Sequence, residues 1–149
     1  MNETFGTVRG FLAGREPGGD IYFAYSATLR IFGDIPDLTQ ISSRLDLLPT
    51  TFHQKGDKRE PRTPGYQHDM WAYRPSLDKT RPLEEHIDTL WRKVKPNKWY
   101  LLELKKTLTV DVFLGYQSNC DNAGITVPHT SLEIFTELEI PFGVSIIIT

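Results

Sequence analysis

The sequence predicts an α+β fold: a single layer of mixed, mostly antiparallel sheet with helices packed on one face, in the order βαββααββαβ. Three observations predict it. Apolar residues alternate with polar ones over 22–32 and 108–116, the period of half-buried strands. Apolar residues recur at helical spacing after Asp37, after Pro82 and after Thr130. Strand-helix-strand links return along the same side of a sheet by right-handed crossovers, so the helices gather on one face and leave the other open.

Residues 1–21 combine Gly6, Gly10, Gly14, Gly18 and Gly19 with Pro17, the composition of an N-terminal arm or edge strand from which Phe5, Val8 and Phe11 can tuck down. Residues 22–149 read as a single α+β domain. From Tyr22 to Phe32, Phe23, Tyr25, Ala27, Leu29 and Ile31 share one face while Ser26, Thr28 and Arg30 point the other way. Asp37 followed by Gln40 has the spacing of a capping box; Leu38, Ile41 and Leu45 continue the helix, and Pro49 stops it. Thr50 to Gln54 reads as the next strand. Lys55 to Gln67 is a polar, proline-bearing loop, and Asp69 to Arg74 returns as a strand, which makes a hairpin with a long tip.

Pro82 fits a first helical turn, and Leu83, Ile87, Leu90 and Val94 form an apolar stripe that ends at Pro96. A shorter helix follows from Lys98 to Lys105, with Trp99, Leu102 and Leu101 expected to rejoin the core. Leu108 to Tyr116 alternates as a strand, with Leu108, Val110, Val112 and Leu114 on one side. Asn119 to Gly124 is a turn and Ile125 to Val127 a short strand. Thr130 with Glu133 reads as a second capping box before Leu132, Phe135 and Leu138. Phe142 to Thr149 is apolar on both faces, which predicts an inner strand covered by helices or by a partner.

At 149 residues the chain is long enough for one domain to close its own core. A formal charge of -2 offers no general positive field, so nucleic acid and membrane surfaces are not expected as partners. The single Cys120 cannot form an internal disulfide, no secretory signal stands at the start, and no apolar run reaches the roughly 20 residues that span a bilayer. A cytoplasmic protein is therefore expected.

Constellations that carry chemistry are sparse. His53, His68, His86 and His129 are scattered and Cys120 has no neighbouring cysteine, so neither a metal site nor a cofactor is expected. The carboxylate of Asp121 beside Cys120 opposes thiolate formation. Glu84 and Glu85, and Glu133, Glu137 and Glu139, suit helix starts and solvated faces better than an acid-base pair. The densest charge is the loop carrying His53, Lys55, Asp57, Lys58, Arg59 and Arg62, where Gly56 lets the backbone turn; a solvated tip is the commoner outcome, and a ligand or partner contact the sharper one. Trp71, Trp91, Trp99, Tyr73 and Tyr100 suit a core. Were Trp71, Tyr73 and Tyr25 to share the uncovered sheet face instead, they would form an aromatic platform for a partner.

The strand Ala27-Thr28-Leu29-Arg30-Ile31-Phe32-Gly33, the helix to Leu48-Pro49-Thr50, then Lys55-Gly56-Asp57, Met70-Trp71 and Pro82-Leu83-Glu84-Glu85-His86-Ile87, in that order, resemble the bacterial family of domain of unknown function 4279 over about 22–149. The resemblance implies a compact α+β domain and carries no activity, cofactor or catalytic residue.

Two functional expectations follow. The first is a non-enzymatic protein-binding domain, such as an immunity-type protein whose acidic and aromatic surface occludes a toxin partner, with contacts drawn from His53, Lys55, Asp57, Arg59, His68, Trp71 and Tyr73. The second is a small enzyme or ligand-binding domain with a pocket near His53, Lys55, Asp57 and His68. A deep, convergent cavity favours the second and a shallow surface the first. A homodimer is compatible with either.

Overall fold

The computed structural model describes residues 20–149, so all of the N-terminal arm except Asp20 and Ile21 lies outside the described residues. Strand β1 (Phe23–Gly33) is the axis of a five-stranded sheet, flanked by β3 (Asp69–Tyr73) and β4 (Thr109–Ser118). The strand order is β2-β3-β1-β4-β5, with β2 (Thr51–His53) at one edge and β5 (Val144–Ile148) at the other. β2, β3, β1 and β4 pair antiparallel in turn, and only β5 is parallel to its neighbour. The mixed, mostly antiparallel α+β architecture is therefore as the sequence predicts.

Period-two alternation decides which face is buried. Phe23, Tyr25, Ala27, Leu29 and Ile31 of β1 are buried beside Val110, Val112, Leu114 and Tyr116 of β4. Helix α1 (Leu38–Leu45) contributes Ile41 and Leu45 to that layer, α2 (Leu83–Val94) contributes Leu83, Ile87, Leu90, Trp91 and Val94, α3 (Lys98–Leu104) contributes Leu101, and α4 (Glu133–Glu137) contributes Ile134 and Phe135. All belong to one hydrophobic cluster. At roughly 25 cal/mol per Å² of apolar surface removed from water, this shared layer holds helices and sheet together.

Local chemistry refines several boundaries. Asp37 caps α1 by accepting from Thr39 N at 3.0 Å and from the Thr39 hydroxyl at 2.6 Å, rather than by a reciprocal box with Gln40. The helix ends before Pro49 because Asp46 adopts a left-handed conformation with φ of 54°, which a short polar side chain tolerates. Pro96 does not end the helical path: it sits early in a 3₁₀ turn, Lys95–Asn97, that leads from α2 into α3.

Four expectations are corrected. The segment 125–127 joins no ladder; Ile125 and Val127 pack against the core as irregular chain. Trp99 is 72% exposed, with Lys98 Nζ over its ring, and Leu101 fills the core in its place. Glu133 does not close a capping box, because its carboxylate accepts from Trp91 Nε1 at 2.7 Å and faces Lys95 Nζ at 3.4 Å. Finally, among the described residues β5 is an edge strand and not an inner one, since the crossover through α4 places it outside β4.

Candidate functional site

The face of the sheet opposite the helices carries no helix among the described residues. It is built from alternate residues of all five strands: Thr28, Arg30 and Phe32 of β1, Asp111, Phe113 and Gly115 of β4, Met70 and Ala72 of β3, Thr51 and His53 of β2, and Ser145 and Ile147 of β5. Arg30 lies at its centre. It stands opposite Asp111 across the β1–β4 ladder and donates two bonds to that carboxylate, Nε to Oδ1 at 2.8 Å and Nη2 to Oδ2 at 2.7 Å. The bidentate pair raises the Arg30 pKa above its ordinary value, chiefly through the hydrogen bonds to Asp111, so the guanidinium is a fixed charge. It also covers the rings of Phe113 at 5.0 Å and Phe32 at 5.6 Å.

Further cations surround this centre. Arg74, just past β3, donates Nε to Thr28 Oγ1 at 2.9 Å, which buries Thr28 and leaves both terminal nitrogens without a partner among the described residues. The chain then runs beside β1, where Tyr25 N donates to Lys79 O at 2.7 Å and brings Lys79 to the same face. At the hairpin end, the His53 ring stacks on Tyr66 with centroids 3.5 Å apart and planes 8° from parallel, and Arg59 Nε donates to Tyr66 Oη at 3.2 Å.

The hairpin tip holds its shape through its backbone. Asp57 N donates to Gln54 O, the Asp57 carboxylate accepts from Gln54 N at 2.8 Å, and Gly56 N and Tyr66 O pair at 2.9 Å. Gly56 has φ of +94°, and a Cβ on Gly65 would stand 2.6 Å from Gly56 O, so both positions require glycine. Asp69 ties the base of the tip to the start of α1 by accepting from Lys55 N at 2.7 Å and Ile35 N at 2.9 Å. These backbone bonds, with Lys55 N first, hold its pKa below the ordinary carboxylate value.

Three adjoining depressions run across the face. The first is lined by Phe32, His68 and Gln67 among others, and meets a central one of about 350 Å³ along Arg30, His53, Tyr66 and Met70. The central one meets the third, which reaches Ser145 and Ile147 on β5, along Arg74 and Phe113. The result is a shallow trough, open along its length. Arg30, Arg59, Arg74 and Lys79 line it, and among the described residues only Asp69 contributes a carboxylate to the lining, with Asp111 held on Arg30. On the helical side charges of both signs are interspersed, with Glu85 paired to Arg81, Glu133 to Lys95 and Glu137 to Lys98. The total of -2 thus conceals a basic face, and reading partners from total charge overlooks it.

Of the residues singled out from sequence, His53, Arg59 and His68 line this trough. Lys55 and Asp57 do not; they shape the tip beside it. Trp71 is removed as a contact, because it is 0% exposed on the helical side of the sheet with Nε1 bonded to Ser42 Oγ at 2.9 Å. Tyr73 shares that side, half-buried against the core, and Tyr25 is buried there too, so the aromatic platform does not form. Sequence reading missed Arg74, Tyr66 and Phe113. The polar positions Ser26, Thr28 and Arg30 of β1 were a signal for this face, but which residues join them depends on strand order.

Other constellations have structural placements. Among the described residues no group of three or more His, Cys, Asp or Glu side chains is arranged to hold a metal ion. Cys120 is buried and its N–H donates to Ser118 Oγ at 2.9 Å. Glu85 pairs with Arg81 and Glu137 with Lys98. No helix among the described residues is long and apolar enough to cross a membrane.

A family model described as Domain of unknown function (DUF4279) matches residues 23–149. No curated protein and no solved structure matches this chain.

Proposed function

Because the chain belongs to the family described as Domain of unknown function (DUF4279), kinship supplies no activity, and we propose from its surface a protein-binding domain whose uncovered sheet face takes an acidic segment of another protein. The observation that carries this reading is the joining of Arg30, Arg59, Arg74 and Lys79 along one shallow, open trough. Arginine is the cation best suited to carboxylates, and among the described residues neither terminal nitrogen of Arg74 has a partner. Shallowness suits an extended chain or a protein surface better than a small substrate, which is usually enclosed.

Charge alone would also fit single-stranded nucleic acid, which adds base stacking on exposed rings. Here the rings are already engaged: Arg30 covers Phe32 and Phe113, and His53 covers Tyr66. That arrangement favours carboxylates over bases. The physiological use we propose is occlusion, as by an immunity-type protein that covers a toxin, with the surface it covers being acidic. One observation favours a second, small-ligand reading: His53, Arg59 and His68 line adjoining depressions at the hairpin end, where a small carboxylate could meet them together.

The test is a titration of fluorescently labelled Glu- and Asp-rich peptides at low and high salt, with single-stranded oligonucleotides and small aromatic carboxylates as competitors. Salt-sensitive peptide binding that disappears in Arg74→Glu supports the reading. Absence of peptide binding, or tighter binding of oligonucleotide than of any peptide, would refute it; displacement by an aromatic carboxylate alone moves the assignment to the second reading.

A further inference from the structure

The two edges of the sheet differ in a way that points to a partner. β2 is three residues long, a length that blunts an edge. β5 is Val144-Ser145-Ile146-Ile147-Ile148, and no charged residue occurs from Ile140 to Thr149. Ile146 is 61% exposed, Ile147 54% and Ile148 46%. Within β5 itself there is no lysine, no proline and no bulge to protect the edge.

The backbone states which groups are available. Ser118 is level with Ile148, and Thr149 N donates to Ser118 O at 2.9 Å. In a parallel ladder that phase directs the amides and carbonyls of Ser145, Ile147 and Thr149 toward β4, and those of Val144, Ile146 and Ile148 outward. Among the described residues none of these three outward residues has a ladder partner.

We infer that β5 is a homodimerisation edge, pairing antiparallel with β5 of a second copy about a two-fold axis through Ile146. The phase is self-complementary. Ile146 meets Ile146 of the second copy, and Val144 meets its Ile148, so every outward-facing residue falls into a hydrogen-bonded pair. Charge points to the same occupant: an uncharged strand sets no like charges against one another across the axis, and it offers nothing to select an acidic or basic strand instead. Ile146 and Ile148 gain cover on the helical side and Ile147 on the other. The axis stands normal to the sheet, so both troughs open on the same side and meet at β5 through Ser145 and Ile147. This inference stands apart from the reading of the trough.

The experiment is light scattering on the full chain from low micromolar to submillimolar concentration, with amide hydrogen exchange at each end of the range. A dimer that dissociates on dilution, with β5 amides protected only as dimer, is expected. Ile146→Lys places two lysines face to face and should abolish the dimer with the circular dichroism spectrum unchanged, whereas Ile147→Lys, opposed by Ser145, should retain it. Should Ile146→Lys misfold, Ile146→Cys decides: Cα atoms about 5.5 Å apart lie within disulfide reach, so oxidation should give a covalent dimer that Ile147→Cys does not. Native Cys120 is buried and does not compete. A monomer throughout would overturn the inference, assigning the edge to residues 1–19 if β5 amides are protected and to no partner if they are not. Equal cross-linking of the two cysteine variants would overturn it as well.

Discussion

Arg30 and Asp111 face each other across the central ladder, and their two bonds of 2.8 and 2.7 Å fix a guanidinium at the middle of the uncovered face. Both side chains remain about a quarter to a third exposed, so solvent screens the pair. Asp111→Asn should therefore lower stability by no more than about 1 kcal/mol in urea unfolding. The same change releases Arg30 from its counter-charge, and acidic-peptide affinity should rise. A fall in affinity would show that Arg30 acts in binding only when Asp111 orients it.

The indole of Trp71 reaches across the core layer to Ser42 Oγ and so joins β3 to α1. Ser42→Ala leaves a buried N–H unpaired and should cost about 1 to 3 kcal/mol. Trp71→Phe loses that bond and ring volume together and should cost more, of order 3 kcal/mol. Chemical denaturation of the two variants checks the order. Equal, negligible losses would mean that the indole is not held as described.

How far the sequence was readable follows from residues such as these. The alternation in β1 identified its buried set, Phe23 through Ile31, because its other face is polar. β3 offers no such contrast: Met70 and Ala72 are as apolar as Trp71 and Tyr73, so its inward side follows only from the pairing of Ile31 with Trp71. The apolar run of β5 announced a strand in need of cover, and an inner position was the natural reading. Its edge position depends on the crossover through α4, which spacing does not encode. The trough was hidden for the same reason, since Arg30, Arg74 and Tyr66 are far apart in the chain and strand order alone makes them neighbours.

His86 lies on the buried stripe of α2, 2% exposed, and its Nε2 has no partner among the described residues. Burial lowers its pKa below the ordinary 6.5, outweighing the nearby carbonyls of Arg81 and Asp78. A base whose folded pKa is depressed takes up its proton more readily in the unfolded chain, so stability is complete above the unfolded pKa near 6.5 and declines as pH falls below it. The slope for one such proton is at most about 1.4 kcal/mol per pH unit. Urea midpoints between neutral and mildly acidic pH should show the decline, and His86→Leu should flatten it. An unchanged slope in the variant would assign the acid sensitivity to other groups.

Gly65 and Gly56 touch backbone to backbone at the hairpin tip, and this contact sets where Tyr66 presents its ring to His53. Gly65→Ala places a methyl group within 2.6 Å of Gly56 O and 2.9 Å of Gly56 Cα, atoms that cannot rotate aside. The tip must shift, at a cost of about 1 to 3 kcal/mol confined to the loop. Gly124→Ala, where the added methyl meets nothing within 4 Å, is the matched control. Acidic-peptide titration should show weaker binding in Gly65→Ala and unchanged binding in Gly124→Ala, because only the first displaces Tyr66 and with it the bond to Arg59. Unaltered affinity in Gly65→Ala would place the binding surface away from the tip, toward Arg74 and Phe113 at the β5 end of the trough.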